Sequence, residues 1–124
     1  SQATPSSKDE QLTLSATDRI SEDEHKKVDK FLTVFFTNYT TNQDNLNLIA
    51  KDVSVVANTT FKSIDYTYLK EDGEKLIATV QVTFEVGAST HSENFTLTLT
   101  QNNGTYFVDE LAHTIPINYA KQEK

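Results

Sequence analysis

Residues 21–41 read SEDEHKKVDKFLTVFFTNYTT, and this stretch decides the fold. Ser21 and Glu24 have the S-x-x-E spacing of a capping box. In that arrangement the Ser hydroxyl accepts from the third helical amide and the Glu carboxylate reaches back to the N–H of the cap. Glu22, Asp23 and Glu24 put negative charge at the positive end of the helix dipole. Val28, Phe31, Leu32, Phe35, Phe36 and Tyr39 recur at i, i+3, i+4, i+7, i+8 and i+11, which is one unbroken helical face. Lys26, Lys27, Asp29, Lys30 and Asn38 fall off it. The cluster Thr40-Thr41-Asn42 ends this helix and can cap a short second one over Gln43–Ala50, with Leu46, Ile49 and Ala50 inward.

From residue 53 the hydrophobic period drops from 3.6 to 2. Val53, Val55, Val56 and Ala57 form a short apolar run that Asn58-Thr59-Thr60 breaks. Phe61–Lys70 alternates, which predicts Ile64, Tyr66 and Tyr68 on one face and Asp65 and Thr67 on the other. Glu71-Asp72-Gly73-Glu74 is a hairpin signal with Asp-Gly at its centre. Lys75–Val86 is the cleanest strand, with Leu76, Ala78, Val80, Val82, Phe84 and Val86 facing away from Ile77, Thr79, Gln81, Thr83 and Glu85. Gly87-Ala88-Ser89-Thr90 turns the chain, and His91–Gln101 alternates again, Phe95, Leu97 and Leu99 against Asn94, Thr96, Thr98 and Thr100. Asn102-Asn103-Gly104 is a strong turn, after which Thr105–Leu111 closes the meander.

Helices followed by strands predict an α+β fold, with about four antiparallel strands in a curved sheet and the helices against its apolar face. A strand as long as 75–86 must twist along its length, so the sheet should wrap the long helix as a cone. The domain is expected over 21–113. Residues 1–20 read as a polar linker in which Leu12 and Leu14 can add a short strand, and 114–124 read as a tail.

At 124 residues the chain is one domain's worth. Eighteen acidic against 11 Lys/Arg side chains give a net charge of −7, the wrong balance for a phosphate-binding surface. The absence of Cys removes disulfides, thiolate metal sites and Cys nucleophiles. No stretch approaches the length of apolar sequence that a membrane span needs. Thr and Asn together make about a fifth of the chain, suiting half-exposed strands, turns and caps, and a protein facing the outside of a cell. A start at Ser1 without Met reads as a processed or cut-out piece.

The helix sequence VDKFLTVFFTNYTTNQDNLNLIAKDV, followed by a meander ending LTLTQNNGTYFVDELA, resembles the cone fold of nuclear transport factor two. Within that superfamily it is most similar to the extracellular C-terminal domains of Gram-positive conjugation proteins of the TcpC and TraM kind, counterparts of an inner-membrane assembly factor of type IV secretion. The resemblance covers about residues 21–112. Its carriers are Phe31, Leu32, Phe35, Phe36 and Tyr39, then Asp44 with Leu46, then Asn103-Gly104 followed by Tyr106, Val108 and Leu111. Tyr106 stands where many relatives carry Trp. These are packing and turn signatures, and none is catalytic. The resemblance implies a transmembrane helix ahead of Ser1, a place between membrane and cell wall, contacts with other channel subunits, and self-association, often as a trimer. With no cofactor motif and an acidic charge balance, no cofactor and no direct nucleic-acid binding are expected.

His25, His91 and His113 show no metal-ligand spacing, so a zinc site would need distant residues to converge. Acid–base enzymes of the same cone fold are the sharper alternative, and Tyr66, Tyr68 and Tyr106 with Asp65, Asp109 and Glu110 are the candidates. Against them, Tyr66 and Tyr68 share the apolar face with Ile64 and read as core. Asp65 points to solvent, and the inward sets of 75–86 and 95–99 hold no ionisable group. A scaffold should have its cone filled by Phe31, Phe35, Phe84 and Phe95. An enzyme should hold Asp109 or His113 in an open cavity. No catalytic, cofactor-binding or metal residue is therefore assigned. Sequons at Asn38, Asn58, Asn94 and Asn103 matter only in a glycosylating pathway. Thr79, Thr83, Thr96, Thr98 and Thr100 should line the outer side of the sheet, either as a solvated surface or as a flat, weakly charged contact face. The expectation is a non-enzymatic scaffold of a conjugative transfer channel. The alternatives are a small-molecule-binding or acid–base enzyme of the same fold, or a secreted cell-wall module.

Overall fold

The computed structural model describes residues 20–114. Helix α1 spans Glu22–Tyr39 and α2 Gln43–Ile49; strands β1 (Thr60–Asp72), β2 (Lys75–Val86), β3 (Ser89–Asn102) and β4 (Thr105–His113) follow. The strands form one antiparallel sheet in the order β1-β2-β3-β4, so the chain is α+β as its pattern predicts. The expectations for Leu12, Leu14 and the two tails lie outside the described residues.

Ser21 caps α1, its Oγ accepting from the Glu24 amide at 3.1 Å. The reciprocal half of the capping box is absent. The Glu24 carboxylate instead accepts from the Tyr106 hydroxyl and, at 3.1 Å, from Gln101 Nε2. Helix α1 is thereby pinned across the molecule to the β3–β4 hairpin. Asn42 caps α2 through the Asn45 amide at 2.9 Å.

All six positions of the predicted apolar face of α1 are buried. Phe36 meets Phe61, Phe84 and Phe95 with ring centroids at 6.0, 6.2 and 5.1 Å, and Tyr39 packs on Phe95 at 6.0 Å. At the other end Phe31 lies 5.7 Å from Tyr106. The inward row of β2 (Leu76, Ala78, Val80, Val82, Phe84) is buried with Phe95, Leu97 and Leu99 of β3. Backbone approach to α1 is closest from β1 and β4, because the twisted sheet curls its edges around the helix.

The apolar run at 53–57 forms no strand. Val53, Val55 and Val56 pack against the core while Gln43 holds their backbone: its Nε2 donates to the Val53 carbonyl and its Oε1 accepts from the Val55 amide, each at 2.9 Å. The Val56 amide donates to the Tyr39 carbonyl, also at 2.9 Å. With its polar groups satisfied by α1 and α2, this segment needs no strand partner.

The largest departure from simple alternation is in β1. Register shifts at Phe61/Ser63 and Ile64/Tyr66 leave Lys62 and Asp65 as extra residues. Each such bulge reverses the side of everything after it. Phe61, Ile64, Thr67 and Leu69 therefore turn inward, and Tyr66 and Tyr68 turn out, 49% and 59% exposed. Thr67, expected outside, donates to Asp29 Oδ1 of α1 at 2.7 Å.

The turns also shift slightly. Asp72 pairs with Lys75, so Gly73-Glu74 rather than Asp72-Gly73 is the two-residue loop, with Gly73 at φ +62°. Asn103 and Gly104 both take positive φ, +54° and +83°, as a type I′ hairpin demands.

Candidate interaction surface

The cone is filled. Among the described residues every buried side chain is hydrophobic, and Phe31, Phe35, Phe84 and Phe95 are among them. Tyr106 is buried with them, and its hydroxyl is spent on Glu24. Burial first, and then the Glu24 carboxylate, push its ionisation above the usual phenol range.

The other candidates lie outside the core. Asp109 sits on the outer face of the sheet, where it accepts from Lys75 Nζ at 2.6 Å and from the Thr100 hydroxyl. Burial pushes its carboxyl up, but the Lys75 and Thr100 hydrogen bonds outweigh this and hold it below the usual carboxylate range. Glu110 is exposed. Asp65, at its bulge, accepts from Ser63 at 3.0 Å and Thr83 at 2.6 Å on the outer face. His25 stays half-buried on the first turn of α1.

His91 and His113, distant in sequence, converge on Glu93. Their Nε2 atoms lie 2.7 and 2.8 Å from its two carboxylate oxygens, and the His113 ring lies 4.5 Å from the Phe95 ring, tilted by 41°. The antiparallel register explains this, since Phe95 pairs with His113 and Phe84 with His91. No spacing in the sequence signals the cluster. Among the described residues no group of three or more His, Asp or Glu is arranged to hold a metal ion.

Neither helix covers the outer face of the sheet; both pack on its other side. One row crosses all four strands as Tyr68, Thr79, Thr96 and Ala112, and the next as Lys70, Ile77, Thr98 and Glu110. Thr79, Thr83, Thr96, Thr98 and Thr100 all lie on it, as their alternation predicts. The bulges add Tyr66 and Tyr68, which alternation alone assigns to the core. Its charges include Asp65 and Lys70 on the β1 edge, Glu110 on the β4 edge, and the Lys75–Asp109 pair. A centre of Tyr, Thr and Ile with a charged rim is the composition of a protein contact, in which Tyr supplies area at low entropic cost.

Among curated proteins no significant match is found. Solved structures share the fold, among them two Ntf2-like proteins. One is described as an Ntf2-like protein involved in plasmid conjugation (TM-score 0.66, 20% identity), with the match covering 79% of this chain and 43% of that one. The other is described as an Ntf2-like, potential transfer protein TraM from the Gram-positive conjugative plasmid pIP501 (TM-score 0.60, 15% identity), covering 74% of this chain and 98% of that one. The chain thus spans less than half the length of the first. The model of the family described as conjugative transposon protein TcpC matches residues 1–109. A filled α+β cone, its Ntf2-like neighbours and that match over most of the chain lead to one conclusion: the chain belongs to the TcpC family of conjugative transposon proteins.

Proposed function

We propose that this chain is a non-enzymatic scaffold of a conjugative transfer channel of the type IV secretion class. It acts by contacts with other channel subunits and with copies of itself. The observation that carries this reading is the open sheet face, with Tyr66 and Tyr68 exposed beside a Thr-lined centre. A core filled with aromatic and aliphatic side chains supports a rigid body that presents surfaces rather than a pocket. The net charge of −7 argues against direct contact with the transferred DNA. Family membership and the conjugation proteins of the same fold support the setting.

The proposal places the domain between membrane and cell wall, held by an anchor ahead of it in the longer protein. Among the described residues no helix is long and apolar enough to cross a membrane. The test is deletion of the gene in a donor cell, followed by mating. Transfer should be lost or sharply reduced and should return with the wild-type gene. Unchanged transfer would remove the conjugative role.

A further inference from the structure

On the helix side of the sheet, α1, α2 and the β3–β4 turn enclose a groove of about 320 Å³. Its floor is apolar: Phe31 and Tyr106 with rings 5.7 Å apart, flanked by Ile49 and Val34. Val34 is 51% exposed, an aliphatic side chain left in water beside an apolar floor. Lys27 and Lys30 form the wall, and neither has an ion pair among the described residues. Two acidic neighbours are engaged by other groups. Glu24 accepts from Tyr106 and Gln101, and Asp29 accepts from Thr67 on the β1 side. Asp23 and Asp29 line an adjoining depression on α1 that Lys27 and Lys30 also border, without an ion pair to either lysine.

An unpaired cationic wall beside an apolar floor, in a chain of net charge −7, selects its occupant by complementarity. A basic or neutral segment gains nothing from the two ammonium groups. A small inorganic anion gains nothing from Phe31, Val34 and Ile49. We infer that the groove takes an acidic, apolar-anchored segment of another protein. An aliphatic or aromatic side chain seats on the Phe31–Ile49–Tyr106 floor, and flanking Asp or Glu carboxylates meet Lys27 and Lys30. The inference rests on the protein-contact reading above and adds a second surface to it. The sheet face and the groove lie on different sides of one rigid body, so one domain can hold two neighbours at once.

The probe is a library of random dodecapeptides displayed on phage and selected on the full 124-residue chain. Enriched peptides are then synthesised and titrated by fluorescence anisotropy. They should pair Leu, Ile or Phe with Asp or Glu. The double reversal Lys27→Glu, Lys30→Glu should weaken them by about tenfold or more, and added salt should weaken binding to the wild type more than to the variant. Both lysines are exposed, and circular dichroism checks that the variant is folded. Peptides without acidic residues, or binding that survives the double reversal, would overturn the inference. A change in the sedimentation of the chain itself on double reversal would assign the groove to a second copy and overturn it as well. Because the chain has no Cys, Val34→Cys carries a single nitroxide label. Broadening of the amide resonances of residues 1–19 in the free chain would assign the groove to the chain's own leading residues, again overturning it. Peptide binding that persists while gene deletion leaves mating unchanged would remove the transfer role alone. Loss of peptide selectivity with mating impaired would remove the groove alone.

Discussion

Glu93 receives two imidazoles on one carboxylate, from His91 and His113. Partial burial pushes its carboxyl up, but the hydrogen bonds and charges of the two rings outweigh this and hold it below the usual range. A carboxyl held low in the folded state contributes stability above its unfolded value, about 4.3, and that contribution is lost as pH falls through the folded value. Glu93→Gln should therefore flatten the loss of melting temperature on acidification below about pH 4.5, as followed by circular dichroism. An acid limb as steep as that of the wild type would contradict this. Burial, and secondarily the Glu93 charge, raise the ionisation of the Tyr39 hydroxyl, so the ring stays neutral in the core throughout this range. Ser21 holds its cap without reciprocal help from Glu24, so Ser21→Ala should cost about 1 kcal/mol in urea unfolding.

At the scale of elements, Gln43 does the work that a strand partner would otherwise do for residues 53–56. Gln43→Ala removes two hydrogen bonds to that backbone and should cost about 1–2 kcal/mol. Faster hydrogen exchange at the Val55 amide should accompany it, and unchanged exchange would show that the segment is held by packing alone. The same residues show what a sequence can and cannot reveal. The six-position face of α1 and the strict alternation of β2 are legible because each follows one period without interruption. The faces of β1 are not legible beyond Ile64. A bulge at Asp65 inserts one residue, and neither Lys62 nor Asp65 differs in type from an ordinary exposed strand residue. Tyr66 and Tyr68 consequently read as core and stand outside. The apolar run at 53–57 reads only as a change of period, because its backbone partner is a side chain on another element. The Thr face is legible from alternation. The Glu93 cluster and the Lys27–Lys30 groove are not, because register and helix packing create them.

At the scale of the molecule, one helix and a curled sheet share a core whose centre is Phe36, fully buried among Phe35, Phe61, Phe84 and Phe95. Phe36→Ala should cost about 3–5 kcal/mol, a large part of what a domain of this size has, and should show as a matching loss in denaturant midpoint. On the proposed scaffold reading, the tyrosines that the bulges expose are the residues best placed to make its contacts. The decisive measurement is mating frequency from a donor in which the deleted gene is replaced by the Tyr66→Asp, Tyr68→Asp variant. Circular dichroism serves as a check that both exposed substitutions leave the fold intact. A scaffold working through the open sheet face predicts transfer close to that of the deletion. Transfer restored to the wild-type level by the folded variant would contradict it.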